Sequence, residues 1–106
     1  MWHKTIHCPW LHVNAMALYP FILVKAKHNL SNQQLINHEL IHFKQQIELL
    51  ILPFYLFYII NYLVNLLYYR QHHKAYLQII FEQEAYKYDM HLDYIKKRKF
   101  LAFLYS

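Results

Sequence analysis

Apolar residues Leu35, Ile36, Leu40, Ile41, Phe43 and Ile47 recur at helical spacing, the pattern of a helix that buries one broad face. Just upstream, Ser31 and Gln34 form a capping-box pattern, with Leu30 and Leu35 placed to staple across it. A helix beginning near Asn32 is therefore expected. Between Glu48 and Arg70 no charged residue occurs, so this stretch is long and apolar enough to be considered as a bilayer span. Pro53 predicts a kink or break, leaving a second helix over 54–69. Asn61 and Asn65 lie four apart on one face of it, and five tyrosines occur in the stretch. Those polar groups favour an amphipathic, buried helix over a lipid-facing one. Beyond a polar corner at 70–74, residues 75–99 read as a third, long helix with Asp93 and Lys97 as an i,i+4 pair.

Ahead of the helices, Phe21 to Lys27 is the best strand candidate, rich in apolar and β-branched residues. Pro20 at its start implies an edge strand, which either offers a rail along which an extended peptide could pair or simply packs on the core. Residues 1–13 read as an irregular arm over the body. Phe100 to Ser106, short and apolar, either packs back on the body or lies across a cleft. The expected class is mainly α with a short β edge, an α+β fold in one domain. Its parts are an arm and strand (1–30), a first helix (31–52), an apolar helix (54–69), a third helix (75–99) and a tail (100–106).

Composition narrows the function classes. At 106 residues the chain suffices for one modest core, and the absence of glycine argues against phosphate-cradling Rossmann and P-loop turns. The net charge is +5, and four of eleven basic residues are Lys96, Lys97, Arg98 and Lys99. Contact with a membrane surface is compatible with that charge, although a solvated helix end accounts for the cluster more simply. No nucleic-acid partner is expected. Cys8 is the sole cysteine and no signal-peptide pattern opens the chain. The expected location is cytoplasmic, with membrane association as the alternative. His3, His7, Cys8 and His12 are close in sequence, but their spacing fits no zinc motif.

Within the first helix stands His38-Glu39-Leu40-Ile41-His42, an H-E-x-x-H motif. Positions four apart share a helix face, so His38 and His42 can offer two imidazoles to one zinc ion (Zn2+) with Glu39 beside them as a general base. The motif is short in a chain with nine histidines, so its context decides. A catalytic zinc needs a third protein ligand and an open position. Phe81-Glu82-Gln83-Glu84-Ala85-Tyr86 offers Glu82 and Glu84, about 200° apart around a helix, of which one can face the motif.

This pairing of an H-E-x-x-H helix with a downstream helical glutamate resembles the gluzincin metallopeptidases, and the short chain resembles a minigluzincin, the reduced single-domain form of that clan. The resemblance covers chiefly residues 31 to 89. It implies a zincin-like helical fold with the H-E-x-x-H helix packed on a Glu-bearing helix. Set on the Glu-x-x-Ala-Asp signature of membrane prenyl-protein-type peptidases, Glu82 takes the ligand position and Tyr86 stands where an aspartate would orient a histidine. A thermolysin-like pattern selects Glu84 instead, with Tyr88 or Asp89 near the supporting position.

The expected function is hydrolysis of a peptide or protein substrate, with zinc held by His38, His42 and Glu82 (alternatively Glu84) and Glu39 as base. Tyr86, Tyr88, His72, His73 and His91 are the candidate oxyanion donors, Tyr86 foremost. The rival expectations are a catalytically silent or self-inhibited zinc-binding module and a membrane-associated protein without enzymatic activity. Geometry couples the choices. A straight helix from Leu49 to Tyr69 leads about 30 Å away and residues 70–82 recover only about 18 Å, so Glu82 reaches the motif only if the chain bends near Pro53 and turns back at 70–74.

Overall fold

The computed structural model describes residues 3 to 105; Met1 and Trp2 of the arm and Ser106 of the tail lie outside them. Strands β1 (Lys4–His7), β2 (Ala15–Leu18) and β3 (Phe21–Val24) precede helices α1 (Gln33–Leu49), α2 (Ile51–Tyr69), α3 (His72–Leu77), α4 (Ile80–Tyr88) and α5 (Tyr94–Lys97). Short 3-10 turns occupy Lys27–Ser31 and Ala102–Leu104. The chain is a mainly α, α+β single domain, as the hydropathy pattern predicts.

The sheet has the order β1-β3-β2, with β1 parallel and β2 antiparallel to β3. The expected edge strand is therefore the central one. Pro20 does not oppose this, because it sits in the β2–β3 turn, ahead of the ladder, where its missing N–H costs nothing. The irregular arm is likewise corrected: Lys4 to His7 pair in register with Phe21 to Val24. Ala17, Ile22 and Val24 of the sheet pack with Phe43 of α1 into one core cluster, flanked by Leu30, Leu35, Ile36 and Leu40.

Helix α1 starts one residue later than the capping-box pattern suggests. Asn32 is the N-cap, its side chain accepting from Leu35 N at 3.2 Å, while Ser31 belongs to the preceding 3-10 turn. Both residues are competent caps, but Gln34 is drawn to Asp89 at 3.0 Å and does not close the box. At its other end α1 stops at Leu50, whose φ is 66°. The break thus precedes Pro53, which lies inside the first turn of α2 where no intrahelical N–H bond is required of it.

The return path agrees with helix arithmetic once the bend is at Leu50. Twelve residues lead out along α2 from Tyr58 to Arg70, and twelve lead back from Arg70 to Glu82. The reversal is made by Arg70 in the left-handed conformation, with its N–H bonded to Leu66 O. The predicted third helix is divided into α3, α4 and α5. Asn61 accepts from Ile80 N at 2.9 Å and so caps the start of α4. At the far end Asn37 donates to the carbonyls of Asp89 and His91 at 2.8 and 3.2 Å.

A second core cluster joins Phe54 of α2, Ile79 and Phe81 at the start of α4, and Phe103 of the tail. Helix α1 therefore lies between two cores, the sheet on one side and the helices on the other. The expectation of a buried α2 is corrected: only Phe54 among its residues is buried.

Candidate metal centre

His38, Glu39 and His42 face inward from the middle of α1, and Glu82 meets them from the first turns of α4; all four are buried. His38 Nε2 and His42 Nε2 each lie 3.0 Å from the same oxygen, Glu82 Oε1. Among the described residues these three side chains are the group of metal-ligating type that converges, with ligand atoms all within 4.8 Å of one another. The N-terminal histidines and Cys8 form no such group.

Each histidine is fixed from behind. Gln45 donates its amide to Phe81 O and to Glu84 Oε1 at 3.0 and 2.9 Å, so its Oε1 must accept, and His42 Nδ1–H donates to it at 2.7 Å. His38 Nδ1 donates to Asp89 Oδ2 at 2.9 Å, and the other oxygen of Asp89 accepts from Gln34 at 3.0 Å. These bonds turn both Nε2 atoms toward the shared centre, as outer-shell partners of metal-binding histidines do. Tyr58 of α2 donates to Glu82 Oε2 at 2.6 Å, leaving Oε1 to face the imidazoles.

The donor set suits a zinc ion. Two neutral nitrogens and one carboxylate oxygen are ordinary zinc ligands, and bonds of about 2.0–2.1 Å in tetrahedral array separate ligand atoms by about 3.3 Å, close to the 3.0 Å between each Nε2 and Glu82 Oε1.

The electrostatics of the cluster are governed by the pairing of His42 with Glu82. Burial opposes a charge on His42, but Glu82 overrides it and raises His42 to about 9. Burial also opposes the Glu82 carboxylate, yet His42, and then the bonds from both histidines, hold it well below the usual range. Glu39 is raised, chiefly by burial, against the lowering effect of His42 and His38. Burial thus makes Glu39 a stronger proton acceptor than an ordinary carboxylate, the property a general base needs.

The two glutamates of α4 are separated as helix geometry demands. Glu84 accepts from Arg98 Nε at 2.5 Å and from Tyr94 OH at 2.7 Å, and Arg98 also reaches Glu48 at 2.6 Å. Glu84 thus occupies an internal ion-pair network and is linked to the site through Gln45. Arg98, expected in a solvated basic end, instead turns its side chain in among carboxylates, leaving 2% of that side chain exposed.

Tyr86 lies beside the centre, its ring 4.4 Å from that of His38 and its hydroxyl 2.7 Å from Tyr76 OH. One hydroxyl of that pair donates to the other, and the acceptor's own proton remains available to a third group. The other proposed donors are placed elsewhere. His72 bonds Tyr62 at 2.8 Å toward the far end of α2, His73 is exposed nearby, and Tyr88 stacks on Tyr94 and contacts His91. Sequence reasoning missed Tyr58 and Gln45 altogether and gave Asp89 only a role beside Glu84. The available signal was helical spacing: Phe54, Tyr58 and Asn61 form one stripe of α2, and Gln45 follows His42 by three residues.

Comparison with known proteins finds no matching family model, no matching curated protein and no matching solved structure.

Proposed function

We propose that this protein is a zinc-dependent hydrolase of peptide bonds. The observation that carries the reading is the convergence of His38 Nε2 and His42 Nε2 on one oxygen of Glu82, with Glu39 buried beside them. His38, His42 and Glu82 would hold the metal. Zinc supplies a Lewis acid that polarises a carbonyl and makes water acidic near neutral pH. Gln45 and Asp89 hold the imidazoles in the ligating tautomer. Tyr58 holds the second oxygen of Glu82 back from the centre. Glu39 takes the proton of the attacking water and passes it to the departing amine, the work of a base whose affinity for protons burial has increased. Tyr86, through the hydroxyl pair with Tyr76, is the candidate donor to the developing oxyanion.

Incubating the zinc-loaded full chain with a broad peptide library tests the reading. Cleavage is expected, with Glu39→Gln lowering kcat by about 10²–10⁴ while zinc stays bound. Tyr86→Phe is expected to lower kcat by about 10²–10³. A chain that binds zinc but cleaves no library member is the silent zinc-binding module, and the hydrolase reading is then abandoned.

A further inference from the structure

Helix α2 is built inside out for a helix at a water surface. Each of its hydrogen-bonding side chains up to residue 65 turns inward and is engaged: Tyr55 with Ala17 O, Tyr58 with Glu82, Asn61 with Ile80 N, Tyr62 with His72 and Asn65 with Ala75 O. Its outer face presents Leu52, Leu56, Ile60, Leu63, Val64 and Leu67, each 48% to 81% exposed. A surface helix ordinarily reverses this arrangement, with charged and polar residues outward. An apolar patch of several such side chains exceeds the few hundred Å² that soluble monomers usually tolerate.

Three features decide what covers it. Protein interfaces carry about one hydrogen bond per 100–200 Å², yet the outer face offers no polar group until Tyr68. The helix has 19 residues, a length of about 28 Å, close to the hydrocarbon thickness of a bilayer. At its C-terminal end the apolar surface closes on exposed Tyr68, Arg70 and Lys74, with Lys74 Nζ 5.0 Å above the Tyr69 ring. Tyrosines and cations are the side chains that meet lipid carbonyls and phosphates.

We infer that the outer face of α2 lies in the hydrocarbon of a lipid bilayer, with its Tyr-Tyr-Arg end at the headgroups. This goes beyond the hydrolase reading and does not depend on it. Phe54 and Tyr58, on the inward face, join the lipid-contacting helix to α4 and the metal centre.

Flotation tests it. The full chain is synthesised cell-free with phosphatidylcholine–phosphatidylglycerol vesicles and centrifuged through a density gradient, beside a triple variant, Ile60→Gln, Leu63→Gln and Leu67→Gln. These side chains are exposed, so circular dichroism is expected to match the wild type in detergent. The wild type should float with the vesicles, and the variant's partition coefficient should fall by at least about a hundredfold. Three outcomes overturn the inference: a wild type that stays at the bottom, a variant that floats as well as the wild type, or a discrete vesicle-free dimer that the same substitutions dissociate.

Discussion

His42 and Glu82 share what a bound cation would replace. Because His42 is raised to about 9, a proton must leave it before its Nε2 can bind metal. Zinc affinity should therefore climb about tenfold per pH unit below about 9 and level off above it, as isothermal titration across pH would show. The metal-free fold should behave oppositely. His42, raised from 6.5, contributes stability in full below 6.5 and loses it as pH rises through about 9. Glu82, lowered from 4.5, contributes above 4.5 and loses its contribution as pH falls toward its depressed value. Thermal melts of the metal-free chain should thus be highest between pH 4.5 and 6.5. Asp89→Ala frees His38 Nδ1 and should weaken zinc binding by about 10–100-fold. His38, Glu39 and His42 were legible in the sequence because one helix fixes their spacing. Glu82 needed a second helix and a choice between two registers. Tyr58 and Asp89 meet the site only through packing between elements, which no local period encodes.

Among elements, the absence of glycine has a structural cost that the sequence shows only as a composition. Leu50, Arg70 and Leu101 all adopt positive φ, of 66°, 58° and 55°, where a Cβ is disfavoured by roughly 1–2 kcal/mol. Leu50, at ψ 151° and 69% exposed, gives up strain and little packing on substitution. Leu50→Gly should raise stability by about 1 kcal/mol in chemical denaturation; a decrease would mean that the α1–α2 junction is not strained. The Glu84–Arg98–Glu48 network tests the folding back of residues 89–98. Arg98→Ala removes the cation shared by buried Glu84 and half-buried Glu48 and should cost about 3–5 kcal/mol, whereas Lys97→Ala, in an exposed pair with Asp93, should leave the denaturation midpoint unchanged. A straight helix over 75–99 would put Arg98 about 21 Å from Glu84. Its basic neighbours made it read as solvated, since nothing in the sequence marks the turns after Leu77 and Tyr88.

For the whole molecule, α1 is clamped between a sheet and a helical layer. Phe103 brings the tail against Phe54 and Phe81, so Phe103→Ala should destabilise the fold by about 3–5 kcal/mol. The α+β class was legible from hydropathy and turn residues. The sheet order was not, since β1 pairs in parallel with β3 and not with β2, the next strand in the chain, and β1 is only four residues long and largely exposed. The burial of α2 was also misjudged. Its asparagines mark an inward polar face, and that same arrangement leaves the apolar face outside. Zinc content of the purified chain after dialysis is the sharpest test of the proposed metal binding by side chains of α1 and α4. One zinc per chain is expected, kept in Glu39→Gln and lost in His38→Ala, His42→Ala and Glu82→Ala with helical content preserved. Unchanged zinc content in Glu82→Ala would remove Glu82 from the metal site.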